Sequence, residues 1–149
     1  NGPGQEPLSA FFRGPGKTTL KPGDIVTAIH FPIPPNGSVG KYIKLGRNQL
    51  SDLSIVGVTA LGHKDTTCSS GYRFRLALAS VAPVPLMPME VETYLADNPI
   101  TPDAIQEAAR VAAEACTPID DVRGSARYRR QMVRNLSVKV LTEVWKNLS

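Results

Sequence analysis

Between positions 72 and 79, Tyr72, Phe74, Leu76 and Leu78 alternate with Arg73, Arg75, Ala77 and Ala79, so one face is large and apolar while the other begins charged. A period of two is the mark of a half-buried strand, predicted here over 72–81. Residues 54–62 make a second strong candidate, and the polar run 64–71 between the two predicts an antiparallel hairpin. Upstream, 39–45 reads as a strand with Val39 and Lys41 on one face and Tyr42 and Lys44 on the other. A further strand is predicted over 25–31, stopped by Pro32 and the Pro34-Pro35 pair.

After Val81 the period changes, because Pro83, Pro85 and Pro88 end strand character. A short helical pattern covers 89–95. Thr101, Pro102 and Asp103 then form a helix start: a hydroxyl N-cap, a proline at the first helical position and an acid in the first turn. That helix carries Ala108, Ala109, Ala112 and Ala115, a small face suited to close packing, and stops before Pro118. A last helix runs from Ser125, its N-cap, to Asn147. Tyr128, Met132, Leu136, Val140 and Val144 recur every fourth residue, with Val133, Leu141, Trp145 and Leu148 widening the stripe. Strands first and helices afterwards predict an α+β fold: a three- to four-stranded antiparallel sheet with about three helices packed on one face.

A length of 149 residues suffices for one domain with a real core and not for two ordinary ones. The chain has no apolar run near the roughly 20 residues that span a bilayer. Its start has neither the charged region nor the apolar core of a signal peptide. With no initiator Met, it reads as a fragment or a processed product. The net charge of +4 is spread along the chain beside few aromatics, which favours a solvated basic surface over a nucleic-acid site. Cys68 and Cys116 lack the spacing for zinc or an iron–sulfur cluster. They read as free thiols of a cytoplasmic protein, with a single disulfide as the alternative. Residues 1–23, dense in Gly and Pro around Phe11-Phe12, read as a tail or linker.

Four constellations bear on chemistry. Gly14-Pro15-Gly16-Lys17-Thr18 fails as a P-loop: Phe11 stands where the first glycine belongs, and Pro15 removes an N–H that a phosphate cradle would use. His30 and His63 could serve as bases, but neither has acidic or cysteine neighbours at ligand spacing, and both read as ordinary core-edge or surface residues. Asp120 and Asp121, before a helix N-terminus and followed by Arg123, Arg127, Arg129 and Arg130, favour structural or interface use over catalysis. Lys44 and Arg47 flank Gly46, whose backbone freedom permits an unusual angle or a close approach to a ligand; by spacing alone this is a surface loop with scattered charge.

Motifs spread over most of the chain change that last reading. Phe11-Phe12-Arg13-Gly14-Pro15-Gly16-Lys17-Thr18, the 22–32 segment, Lys44-Leu45-Gly46-Arg47 with Asp52, Val81-Ala82-Pro83-Val84-Pro85, and 120–125 with Tyr128-Arg129-Arg130 together resemble the FAD-bearing subunit of the molybdenum hydroxylases, the family of xanthine dehydrogenase and carbon monoxide dehydrogenase. The resemblance implies a modular oxidoreductase. Electrons from a molybdenum cofactor pass through 2Fe-2S centres to FAD, and then to NAD or another acceptor. It implies partners too: a molybdenum-cofactor subunit, an iron–sulfur subunit and an FAD-binding domain, with no nucleic acid and no membrane span. Residues 1–35 match the tail of the FAD-binding domain and a linker strand, and 36–149 the C-terminal domain of that subunit. Lys44 and Val26 match positions near the isoalloxazine ring, and Arg47 and Asp52 belong to the flavin-facing loop. Arg13 stands where threonine is commoner, and Asn48 where the family commonly has a second arginine. The family's glycine-rich diphosphate motifs lie upstream of everything seen here, so this chain alone is expected to bind FAD weakly or not at all. The alternative is a non-catalytic module that docks a partner subunit through the basic face of 123–134.

Overall fold

The computed structural model describes residues 4–48 and 52–148. The elements are α1 (Leu8–Phe11), β1 (Phe12–Gly14), β2 (Lys17–Thr18), β3 (Val39–Leu45), β4 (Val56–Lys64), β5 (Tyr72–Ala79), α2 (Met89–Asp97), α3 (Pro102–Glu114) and α4 (Ala126–Leu148). β1 and β2 make a minimal antiparallel ribbon; β3, β4 and β5 form an antiparallel sheet in that spatial order. This is the α+β architecture predicted, with three long-sheet strands.

Register explains the sheet's two faces. Val39, Lys41, Ile43 and Leu45 stand opposite Gly62, Ala60, Val58 and Val56, and Phe74, Leu76 and Leu78 continue those rows across β5. Val56, Val58, Ala60, Phe74, Leu76 and Leu78 are all buried there, against Val133, Val140, Leu141 and Val144 of α4. α4 lies on β3 and β4, α2 packs on β5, and α3 packs between α2 and α4. Gly62 is required by this contact: a Cβ there would come within 2.7 Å of Leu148 Cδ1 and 2.9 Å of Val144 Cγ1.

The helix caps form as expected. Thr101 Oγ1 accepts from the Ala104 N–H at 3.1 Å, and Ser125 Oγ from the Tyr128 N–H at 3.2 Å. Ala108, Ala109 and Ala112 are fully buried, so the alanine face of α3 is a packing face. Cys68 and Cys116 are buried free thiols. Burial pushes the Cys116 thiol up to about 11. Among the described residues, no helix is long and apolar enough to cross a membrane.

Two expectations need correction. No strand forms over 25–31. Residues 25–34 make no backbone hydrogen bonds among the described residues, and Ile25, Phe31 and Ile33 are 81%, 80% and 92% exposed. The local pattern there is strand-like, but a strand exists only beside a neighbour that completes its ladder, and Pro32, Pro34 and Pro35 offer no N–H to one. The buried stripe of α4 also departs from the prediction in its first turn and at Ser137. Arg129, Val133, Ser137, Val140, Leu141, Val144 and Leu148 are buried, while Tyr128 is exposed. Trp145 is half-buried and meets the ring of Tyr72 edge-on, with centroids 4.7 Å apart.

Candidate functional site

On the face of the β3–β5 sheet turned away from α4, small residues fill one end beside two large side chains of β3, while Leu61, His63, Arg73 and Arg75 fill the other. Lys44 stands opposite Gly57, which stands opposite Ala79; in the next row Tyr42 is opposite Thr59 and Thr59 opposite Ala77. Tyr42 leans over Gly57, where an added Cβ would lie 3.4 Å from the Tyr42 hydroxyl and 3.3 Å from Ala79 Cβ. Tyr42 and Lys44 are both exposed, and Lys44 has no ion pair or hydrogen-bonding carboxylate among the described residues. Lys41 contrasts with it. One residue out of phase, Lys41 points to the helix side and is tied by Nζ to Glu143 Oε1 of α4 at 2.5 Å.

The loop that follows β3 is described at its two ends, since residues 49–51 lie outside the described residues. The Arg47 N–H donates to Asp52 Oδ2 at 2.5 Å, and Arg47 Nε lies 3.3 Å from the same oxygen. The backbone N–H of Arg47, and then its guanidinium, hold the Asp52 carboxyl below the usual carboxylate range. Gly46 serves this closure by its size. It does not adopt the left-handed backbone, but a Cβ would sit 3.2 Å from the Asn48 carbonyl oxygen and 3.4 Å from Asp52 Cβ. The loop closes at its base where the Ile55 N–H donates to the Leu45 carbonyl at 2.7 Å.

The structure therefore brings Lys44, Arg47 and Asp52 to one edge of the sheet. Val26 is not joined to them: it lies half exposed in the extended segment and shares no hydrogen bond with the sheet among the described residues. Tyr42 was missed as a site residue although it shares period-two phase with Lys44; the added signal was Gly57, whose register position is known only once strands are paired.

The acidic and basic constellation near α4 is structural. Asp121 pairs with Arg123 at 2.9 Å and with Arg129 at 2.6 Å, as the spacing favoured. The backbone N–H of Arg123 leads the interactions that hold the Asp121 carboxyl down at about 2, with burial opposing and the Arg129 and Arg123 side chains assisting. Among the described residues, no group of three or more His, Cys, Asp or Glu side chains is arranged to hold a metal.

Residues 41–144 match the family model described as the CO dehydrogenase flavoprotein C-terminal domain. The chain belongs to this family. It is 30% identical over 145 residues to the carbon monoxide dehydrogenase medium chain of Hydrogenophaga pseudoflava, covering 97% of this chain and 50% of that one. It is 27% identical over 138 residues to the xanthine dehydrogenase FAD-binding subunit of Escherichia coli O157:H7, covering 92% of this chain and 47% of the relative. The solved carbon monoxide dehydrogenase from Hydrogenophaga pseudoflava, in a form lacking the Mo-pyranopterin moiety of the molybdenum cofactor, superposes with a TM-score of 0.84 at 29% identity. That superposition covers 95% of this chain and 48% of the other. The chain thus spans about half the length of the curated relatives it matches. Family members share the α+β fold described above, and the matched span takes in the open sheet face, its loop and nearly all of α4.

Proposed function

We propose that residues 36–149 are the C-terminal domain of the FAD-bearing subunit of a molybdenum hydroxylase, that residues 1–35 are the tail of its FAD-binding domain, and that Lys44 and Tyr42 face the flavin. The observation that carries this is the ammonium of Lys44, unpaired among the described residues, beside an exposed tyrosine on a floor of Thr59, Ala77 and Ala79. Small residues let a planar ring approach the backbone closely, and an ammonium without a carboxylate partner keeps its full field for a ligand. The chain shows no glycine-rich cradle for a diphosphate, so the FAD-binding domain holds most of the cofactor. FAD supplies the electron transfer when bound. Lys44 stabilises negative charge gathered on the reduced ring, and the aromatic face of Tyr42 limits water beside it. Val26, carried by the extended segment, adds an apolar wall once that segment is seated. Arg47 and Asp52 hold the loop in shape. Electrons arrive from 2Fe-2S centres fed by a molybdenum cofactor on partner subunits and leave to NAD or another acceptor, in the cytoplasm. In the intact subunit Lys44→Ala is expected to lower the flavin reduction potential and slow electron delivery to the acceptor. An unchanged potential with unchanged acceptor kinetics sinks the assignment.

A second role is favoured by the surface of α4. Arg127, Arg130 and Arg134 are exposed at three- and four-residue spacing and form no ion pair among the described residues. Arg129 is buried and Arg123 is paired, so neither belongs to the proposed docking face. Charge reversal at Arg127 and Arg134 is expected to prevent co-purification with an acidic face of the molybdenum or iron–sulfur subunit while flavin reduction persists. Normal co-purification counts against docking.

A further inference from the structure

Arg129 is 3% exposed, and its guanidinium reaches three separate parts of the fold. Its Nη1 donates to the Ile55 carbonyl at 2.5 Å and to the Ser80 carbonyl at 3.0 Å; its Nη2 donates to Asp121 Oδ1 at 2.6 Å. Ile55 is the residue whose N–H closes the 46–54 loop on Leu45, immediately after Lys44. The same residue is thus held from both sides, by β3 through its N–H and by α4 through its carbonyl. Asp121 is itself fixed: its Oδ1 accepts from the Arg123 and Gly124 N–H groups at 2.8 and 3.2 Å. The Asp121–Gly124 bridge rests on Ile55, since a Cβ at Gly124 would lie 3.5 Å from Ile55 Cγ2. Ser80, on the third arm, is the one non-glycine residue with positive φ (65°) among those described. That conformation persists only where surroundings impose it. A planar fork can serve two carbonyls and a carboxylate together; an ammonium has no such geometry.

We propose that Arg129 is a positioning residue that, through Ile55, sets how the described ends of the connection, 46–48 and 52–54, leave the sheet, and hence the placement of Arg47 and Asp52 beside Lys44. The role at the cofactor rests on the flavin-facing assignment of Lys44; the grip on the loop does not. The test uses the intact FAD-loaded subunit as wild type, Arg129→Lys, Asp121→Asn and Lys44→Ala, with amide hydrogen exchange and flavin reduction potential as readouts. Both clasp variants are expected to accelerate exchange at Ile55 by about tenfold or more while Val58, Ala60 and Phe74 keep their protection. Both are also expected to move the flavin potential in the direction given by Lys44→Ala. Arg129→Lys retains the charge, so its failure to rescue reports geometry. Unchanged exchange at Ile55, or acceleration spread equally through β4 and β5, overturns the proposal. So does a potential that responds to Lys44→Ala and not to either clasp variant. If Lys44→Ala also leaves the potential unmoved, the flavin-facing assignment falls, and selective exchange at Ile55 still upholds the grip on the loop. Asp121→Asn keeps the test open should Arg129→Lys fail to fold.

Discussion

The two faces of the β3–β5 sheet share one backbone and differ in nearly everything else. The inner face presents Val56, Val58, Phe74, Leu76 and Leu78 to the helix layer, with Gly62 beneath α4. The outer face presents Gly57, Thr59, Ala77 and Ala79 at one end, with Tyr42 and Lys44 beside them, and Leu61, His63, Arg73 and Arg75 at the other. Period-two alternation assigns every residue to one face or the other. The inner residues therefore answer to stability, and the outer ones are free to answer to a ligand. Lys41 and Lys44 show the difference within one strand, for one is spent on Glu143 and the other has no partner among the described residues.

The largest effect that tests this division is Phe74→Ala. Phe74 is 1% exposed on the inner face, and its truncation should cost about 3–5 kcal/mol by denaturant unfolding. A loss below 1 kcal/mol would mean that the helix layer does not depend on this contact. Gly62→Val tests the same face by excess. With Val144 Cγ1 within 2.9 Å of the new Cβ, about 1–3 kcal/mol is expected. Unaltered stability would show that α4 can retreat freely from β4.

Much of the inner face was legible because it repeats. The strands at 39–45, 54–62 and 72–81 were found to within two residues of their observed bounds, and the caps at Thr101 and Ser125 follow from hydroxyl chemistry. The errors arose where pattern needs a partner. Residues 25–31 alternate like a strand, but no neighbouring edge receives them. In α4 the predicted stripe holds at Val133, Val140, Leu141, Val144 and Leu148 and errs in its first turn, because Arg129, not Tyr128, takes the packed face, and Ser137 interrupts the apolar run. The candidate site was half legible. Lys44, Arg47 and Asp52 came from family resemblance and meet at one edge, whereas Tyr42 over Gly57 and Arg129 on Ile55 depend on contacts between residues far apart in the chain.

An acid titration separates the clasp from both faces. Asp121 has a folded pKa of about 2, depressed below an unfolded value near 3.9. Its contribution is therefore complete above the unfolded pKa and is lost as pH falls through the folded one. Asp121→Asn should consequently flatten the decline of the thermal midpoint between about pH 5 and pH 2. An undiminished decline would assign acid sensitivity to other carboxylates, such as Asp65, whose pKa is lowered by Thr67 and Arg73.

The smallest expected change in stability is on the outer face. Thr59 is exposed midway between Tyr42 and Ala77, so Thr59→Leu adds bulk where no helix packs. Its stability should remain within about 0.5 kcal/mol of wild type. In the intact subunit the same side chain stands on the floor proposed to lie beneath the flavin, and FAD retention should fall. Retention is read from the ratio of flavin absorbance to protein after gel filtration. A destabilisation as large as that of Gly62→Val would show that the outer face is packed against the chain itself. Full stability with full flavin retention would leave the face open and place the ring elsewhere. Only a stable protein that loses its flavin joins the two properties that small residues confer on this face, an absence of internal packing and room for a close-lying ring.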